Sequence, residues 1–459
     1  VNKKSYYFIG IGGIGMSSLA MYLKQKNNIV AGCDKNTNQK TIQILKNSKI
    51  HIDQETNCID YLEKNHIDYL VLTNTVSPNH PAVIFANNNN IPIIYRGKLL
   101  GDSLLDKKII GITGSHGKTS TTGMIAYVLN KIEIFPNVFI GGIIPEIKSN
   151  FIGTSSQYAV VEADDAYKSF LSIYCFISLV TSISLEHLET YNDLNDIFEA
   201  FLQFVEQTNC DGTIIINTDS ETMKQFSSLI KRNYVSYGIN KDIQNYAADN
   251  IQLFPFYSTY DFYKNNTFIS HVKIGIPGLH QVKNSVGALT AIDCLGLPLT
   301  DSIQCLENYQ GIERRLQRKG YFFNTPVFDD YGHHPVEIET TLKAFAKMSS
   351  GKKTVFFQPH KYSRTKSLWN DFIHVFSQAP IDKLYIVDVF AAEDPYDNYF
   401  NSKNMVDEIN KISLNKAHYI DTIDFEHMKS MITKDISKED IILCLGAGKL
   451  DSFADYLIS

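Results

Sequence analysis

Over the first hundred residues, apolar positions fall alternately in short continuous runs and at three- and four-residue spacing. The run "YYFIGI" predicts a strand, Met16–Gln25 has the spacing of a helix, and "NIVAGCD" predicts a second strand ending in an acid. "IDYLVLTN" and "IPIIYR" predict further strands, with "SPNHPA" between them as a loop that opens a helix and Asn87–Asn90 as a helix-end loop. Alternating units of this length predict a parallel sheet covered on both faces.

After the polar stretch "GDSLLDKK" the pattern starts again with the strand "KKIIGIT" and the helix "TSTTGMIAYVL". Strands follow at "QYAVVEA", "CFISLVTSI" and "GTIIINTDS", then a Tyr- and Phe-rich β stretch over about 246–276, then helical spacing in "IPGLHQVKNSVGALTAIDCLG". Beyond "QGIERRLQRKG" a third alternation predicts strands at "TPVFDDYG", "KTVFFQPH", "KLYIVDVF" and "DIILCLGAGK". The expected fold class is α/β in three domains, 1–105, 106–315 and 316–459.

Composition narrows this picture. At 459 residues the chain is too long for one core, and its 44% hydrophobic and 20% charged content is that of a soluble globular protein. A net charge of −6 with both signs interspersed speaks against a nucleic-acid partner. The seven cysteines are dispersed, without a C-x-x-C pair, as expected of reduced thiols in a cytoplasmic protein. No apolar run reaches the roughly 18–20 residues that span a bilayer, so no membrane partner is expected. The longest run, "FLSIYCFISLVTSISL" from Phe170, is broken by hydroxyls and predicts buried strands.

The opening residues allow three readings. Two lysines before an apolar run, with "VAGC" further on, suggest a secretory signal, but "KQKNN" puts charge where that signal must stay apolar. Gly10, Gly12 and Gly15 spell G-x-G-x-x-G, and Asp34 follows, as in a dinucleotide fold. The same glycines, with Gly13 and the helix opening at Met16, could equally cradle another diphosphate.

A second glycine loop, Gly111-x-x-Gly114-x-x-Gly117-Lys118-Thr119, lies between a predicted strand and a predicted helix. Glycines let backbone N–H groups converge on phosphate oxygens at a helix start, so Thr113, Ser115, His116 and Ser120 join them as expected nucleotide contacts. Lys118 would reach the terminal phosphates and the Thr119 hydroxyl would hold Mg²⁺. "VVEADDAYKSF" places Glu162, Asp164 and Asp165 at a strand end, where Mg²⁺ finds carboxylate oxygens. His187 follows another predicted strand; alone it fits a packing or capping role as readily as a ligand role.

The third unit carries "DDYGHHP" and "FQPHKYSRT" after strands, where α/β sheets bind ligands. Lys361 and Arg364 suit a carboxylate or phosphate. The adjacent His333 and His334 lack the spacing of a helical zinc site. Arg314 and Arg315 form either a basic linker or a charge clamp.

Taken in order, "GIGGIGMS", "GITGSHGKTSTT", "VEADDAYKSF", "EHLETY", "GLHQVKNSVGA", "GIERRLQRKG", "DDYGHHPVEI", "FQPHKYSRT" and "DVFAAEDP" resemble the Mur ligase family along nearly the whole chain. The pair "DDYGHHP" and "FQPHKYSRT" is similar to its alanine-adding branch. The resemblance implies a Rossmann-like UDP-sugar domain, a central P-loop ATP domain and a C-terminal Rossmann-like domain for the amino acid. It implies ATP with Mg²⁺, as two ions, and as substrates UDP-N-acetylmuramate and L-alanine, joined through an acyl phosphate. By resemblance Lys118, Glu162, His187, Arg315 and His333 are catalytic, with metal on Thr119, Glu162 and His187. His280 and Asn284 match adenine and ribose contacts, Arg314 or Arg315 a phosphate contact, and Tyr331, His333, Lys361 and Arg364 the substrate end. Gly12, Gly13, Gly15, Met16 and Asp34 fall on the UDP side, and a monomer or weak homodimer is expected.

The chain also departs from the family's usual pattern. Asp165, Ala166 and Tyr167 stand where the family commonly has Glu, Ser and Asp. Ser182 replaces an Asn, Glu186 an Asp, and Lys361 an Arg, which keeps charge but loses the planar fork.

Overall fold

The computed structural model describes residues 3–186, 190–392, 394–421, 423–433, 436–437 and 439–459. They form two compact units. One takes in the chain through Asn250 with Tyr260–Lys273 and Gln281–Tyr309; the other takes in Ile251–Thr259, Ile274–His280 and Gln310–Ser459.

The first unit carries two sheets. Its N-terminal sheet runs His51–Gln54, Ile29–Asp34, Ser5–Ile9, Tyr69–Leu72, Ile93–Tyr95 from edge to edge, all parallel. Chain order reverses at the fully buried strand Ser5–Ile9, so the loop leaving it opens at the switch point where α/β sheets take ligands. The expected strand and helix at the opening are present as Ser5–Ile9 and Ile14–Gln25. The edge strand His51–Gln54 and the helix Lys40–Asn47 escaped the pattern, because "HIDQ" is a short, half-exposed edge with no apolar run.

The second sheet has ten strands, and its topology positions the chemistry. Strand Lys108–Thr113 lies between Tyr158–Glu162 and Ile177–Val180, parallel to both. Ile112 is in register with Glu162, and Thr113 with Val180, so all three strands end together. The Tyr- and Phe-rich stretch is β as expected, in strands Tyr246–Leu253, Ser258–Lys264 and Thr267–Ile274.

The run from Phe170 corrects the sequence expectation. Only Ile177–Val180 is a strand; Ala166–Ser172 is a 3₁₀ segment with Tyr167 and Lys168 in the left-handed region. Its apolarity has a packing cause. Phe170 is fully buried, stacked on Phe204 at 5.0 Å and edge-on to Phe201 at 5.1 Å. Burying one such ring is worth about 1.5–3 kcal/mol, which ties the acid loop before it to the core.

The second unit holds a six-stranded sheet, with Gln317–Phe322 antiparallel at one edge and then Thr325–Asp330, Ile441–Leu445, Lys353–Phe357, Lys383–Val387 and Ala417–Ile420 in parallel. The strand Gln317–Phe322 forms from "QRKGYF", which overlaps the end of "GIERRLQRKG" and carries no apolar run that announces a strand.

Candidate active site

The first glycine loop is held from behind by Asp34. Its Oδ2 accepts the Gly12 N–H at 2.8 Å, and its Oδ1 accepts the Asn36 N–H at 2.9 Å. Thr41 Oγ1 donates to the Gly12 carbonyl at 2.5 Å. Asp34 is buried, so its charge serves to shape the loop. A Cβ on Gly12 would meet Ile42 at 2.8 Å and Asp34 Oδ2 at 2.9 Å, which explains glycine there. Gly10 needs φ +72, and Gly13 precedes the first residue of helix Ile14–Gln25. Met16 lies in the core, leaving only its backbone at the helix start.

The second glycine loop is built like an anion cradle. Gly114 and Gly117 take φ +132 and +88, where a side chain would strain the backbone. Gly117 also lies against Asn284, whose Oδ1 would be 2.6 Å from a Cβ. Helix Lys118–Lys131 begins there, and its first N–H groups have no carbonyl one turn back. Gly111, by contrast, sits inside the strand and gives way to Cys175. The Thr113 hydroxyl is buried without a hydrogen-bond partner among the described residues.

The loop is braced by the neighbouring strand end. Ser115 N–H donates to the Ser182 carbonyl at 2.9 Å, and His116 N–H to Ser182 Oγ at 2.9 Å. Thr181 Oγ1 donates to the His116 carbonyl at 2.6 Å, and the Ser184 N–H to Ser115 Oγ at 2.8 Å. His116 Nε2 is 3.3 Å from Glu186 Oε1. Ser120 is buried in the first turn of the helix. His187, the expected metal ligand, lies outside the described residues.

Acidic groups gather in front of this loop. Thr119 Oγ1 donates to Glu162 Oε1 at 2.8 Å, and Glu162 Oε2 accepts the Gly141 N–H at 2.6 Å. Lys118 Nζ is 2.8 Å from Asp165 Oδ1 and also donates to the Gly114 carbonyl. Burial alone pushes the Lys118 ammonium down, but Asp165, with Asp164 and Glu162, outweighs it and holds the pKa above its ordinary value. A hydroxyl and a carboxylate side by side at a helix start make a hard oxygen donor pair, which fits Mg²⁺. Asp165 entered the sequence reading only as one acid of three; its pairing with Lys118 depends on the turn after Glu162.

On helix Leu279–Cys294, Asn284 is buried, with its Nδ2 3.4 Å from Gln281 Oε1. Burial, with the Arg315 guanidinium adding to it, pushes His280 down to about 4.

In the second unit, strand ends gather the remaining residues. Arg314, at φ +60, is tied into its own sheet: Nη2 donates to the Gly446 carbonyl at 2.6 Å and Nε lies 3.3 Å from Asp329 Oδ2. Arg315 Nη1 is 3.7 Å from Glu337 Oε1, and its guanidinium lies 5.8 Å from the Tyr331 ring centre. Tyr331 and His333 meet edge to face at 5.2 Å. His333 Nδ1 faces the Tyr331 carbonyl at 3.2 Å, so Nδ1 carries the proton and Nε2 is left as an acceptor. Arg364 Nη1 donates to His360 Nδ1 at 3.1 Å, and the rings of His333 and His360 lie 6.1 Å apart. Burial, against an opposing Glu337, pushes His333 down to about 4; burial and then Arg364 push His360 down to about 4. His360 was missed in the sequence, where it was one histidine in "FQPHKYSRT". Lys361 takes φ +67 ahead of the helix Tyr362–Ser367.

A glycine loop that joins a parallel strand to a helix start, beside a strand that ends in a carboxylate, is the arrangement found in phosphate-binding α/β proteins. Three family models match the chain: Mur ligase family, catalytic domain over residues 5–108, Mur ligase middle domain over 112–292, and Mur ligase, glutamate ligase domain over 314–448. The chain is 33% identical to the UDP-N-acetylmuramate–L-alanine ligase of Dictyoglomus turgidum, over 100% of this chain and 97% of that one. Its fold is shared with the UDP-N-acetylmuramate-alanine ligase MurC of Thermotoga maritima, at TM-score 0.83 and 24% identity over 99% and 98% of the two chains. A murein peptide ligase of Psychrobacter arcticus shares it at TM-score 0.71 and 18% identity, over 99% and 98%. The chain belongs to the Mur ligase family.

Proposed function

We propose that the chain is an ATP-dependent ligase that joins L-alanine to the lactyl carboxylate of UDP-N-acetylmuramate, in the cytoplasm, as a step of peptidoglycan precursor synthesis. The observation that carries the ligase reading is the glycine loop, with Lys118 and Thr119 at the start of the helix it opens and Glu162 at the end of the adjacent parallel strand. The choice of substrates is supported by the likeness to the Dictyoglomus turgidum enzyme. We also assign domain divisions near residues 105 and 315.

A carboxylate approaching a triphosphate meets strong repulsion, so positioning and positive charge must lower the barrier. Amides at the start of helix Lys118–Lys131 would hold phosphate oxygens, and Lys118 would exchange Asp165 for the terminal phosphates. Mg²⁺ on Thr119 and Glu162, with a second ion on His187, would neutralise charge on the phosphates. His280 and Asn284 would hold the adenine and ribose end, and Arg315 would lie by the phosphates. The γ-phosphoryl moves to the lactyl carboxylate, the bond to ADP breaks, and the alanine amine attacks the acyl carbon. Phosphate leaves with the electron pair, and the amine loses its proton. Lys361 and Arg364 would face the lactyl carboxylate and the incoming alanine, and Nε2 of neutral His333 would accept a hydrogen bond from the amine.

The test is phosphate release by the purified chain with ATP and Mg²⁺, given UDP-N-acetylmuramate plus L-alanine, glycine, L-serine or a tripeptide. Release that needs both the UDP-sugar and L-alanine supports the reading. Release with the tripeptide alone, or NAD binding without ATP turnover, overturns it.

A further inference from the structure

The glycine cradle near the chain start has a cation beside it that its own motif does not contain. Arg96 opens the helix Arg96–Ser103, and its guanidinium lies directly against Gly15: a Cβ there would come within 2.7 Å of Nη1 and 3.2 Å of Cζ. Gly15 is the second residue of helix Ile14–Gln25, which has no acidic residue in its first turn and no side-chain cap. A guanidinium and the positive end of a helix dipole therefore share one place, which costs energy unless an anion sits between them.

The other edge of the fork is already fixed. Arg96 Nη2 donates to Asp164 Oδ2 at 3.1 Å and lies 3.4 Å from Ser169 Oγ. Asp164 is well exposed and cannot bury the whole charge, whereas the Arg96 side chain is only 17% exposed. The helix that carries Arg96 is seated closely: Gly97 packs on the Ser169 carbonyl and Gly101 on the Ser172 carbonyl, one turn apart on the 3₁₀ segment. The guanidinium is thus held with Nη2 toward Asp164 and Nη1 toward the cradle.

We propose that Arg96 binds the diphosphate of the nucleotide-sugar substrate at the glycine cradle through Nη1, and that Asp164 is its positioning residue. A planar fork split between a carboxylate and an anion uses the geometry that distinguishes arginine from lysine. The proposal rests on the UDP-sugar reading above and adds a residue outside the glycine motif to it.

The test measures binding of UDP and of UDP-N-acetylmuramate by calorimetry to the wild-type chain and to Arg96→Ala, Arg96→Lys and Asp164→Asn, with the melting temperature of each. Loss of one charge-assisted hydrogen bond predicts that Arg96→Ala weakens both ligands by about tenfold to a hundredfold. Arg96→Lys should recover part of that, and Asp164→Asn should weaken both ligands several-fold. MgADP should bind the Arg96 variants as it binds the wild type. Raised KM for the UDP-sugar with little change in kcat would agree. Equal UDP affinity in the wild type and Arg96→Ala overturns the proposal and leaves the ligase reading standing. A wild-type chain that binds neither UDP compound overturns both. Equal weakening of UDP and MgADP, with a lowered melting temperature, marks Arg96 as structural only and also overturns it.

Discussion

The Lys118 ammonium lies 2.8 Å from the Asp165 carboxylate, and both side chains are largely withdrawn from water. Breaking such a pair leaves a charge without its counter-ion, at a cost of about 3 kcal/mol or more when fully buried. Asp165→Asn should therefore lower stability by about 2–3 kcal/mol without ligand. Nucleotide phosphates supply the missing negative charge, so MgADP should raise the melting temperature of Asp165→Asn more than that of the wild type. Thermal melts with and without MgADP check this. Equal ligand-induced shifts would show that Lys118 does not exchange Asp165 for phosphate.

Gly117 combines a φ of +88 with an Asn284 oxygen 2.6 Å from where a Cβ would stand. Gly117→Ala should cost about 1–2 kcal/mol in backbone strain and also push Asn284 from the loop. Its KM for ATP should rise at least tenfold. Gly296→Ala is the control, because Gly296 has φ +71 and nothing within 4 Å of an added Cβ. That variant should lose comparable stability and keep the wild-type KM. Matching ATP kinetics in the two variants would mean that the close approach to Asn284 has no bearing on nucleotide binding.

These positions also show where the sequence stopped being informative. Strand–loop–helix units announce themselves through apolar runs and glycines, so the strand before Lys118 and the helix after it were legible. Gly111 was legible both as part of the strand "KKIIGIT" and as the first glycine of the loop, and only the fold, with Cys175 behind it, decides for the strand. Residues 170–172, the end of the 3₁₀ segment, read as strand because Phe170 is apolar for packing against Phe201 and Phe204. Arg96, and the pairing of Asp165, were silent for a different reason. Their partners, Asp164 and Lys118, stand 68 and 47 residues away in sequence, and no local spacing encodes such a pair.

Asp329 offers a pH test. Neither carboxylate oxygen has a hydrogen-bond partner among the described residues, and burial, opposed by Arg314, raises its pKa from 3.8 to about 7. Between those values the folded chain holds a proton that the unfolded chain has lost, so stability falls as pH rises from about 4 to 7. The difference, about 3 units, corresponds to a loss on the order of 4 kcal/mol once pH exceeds 7. Asp329→Asn mimics the protonated acid in both states, so it should melt above the wild type by a margin that grows from pH 5 to pH 8. His333 and His360 titrate in the opposite sense, losing stability as pH falls from 6.5 toward about 4. They are common to both chains and cancel in the comparison. A constant gap in melting temperature between pH 5 and 8 would place the Asp329 pKa at an ordinary carboxylate value.

Lys361 stands at φ +67 immediately after His360, with its N–H on the Phe390 carbonyl at 2.9 Å. The backbone therefore fixes where its side chain starts, while a flexible ammonium makes one point contact with a carboxylate. Arginine at that position would present two parallel N–H groups and lose less freedom per hydrogen bond. Lys361→Arg should lower the KM of the carboxylate substrate it faces by a few-fold, a gain of about 1 kcal/mol, with kcat nearly unchanged. Lys361→Gln removes the charge and should raise the same KM by about tenfold or more. Initial rates against L-alanine and against UDP-N-acetylmuramate, varied in turn, identify which carboxylate responds. If neither KM moves in Lys361→Arg or in Lys361→Gln, the ammonium does not touch a substrate, and carboxylate binding in this cluster falls to Arg364.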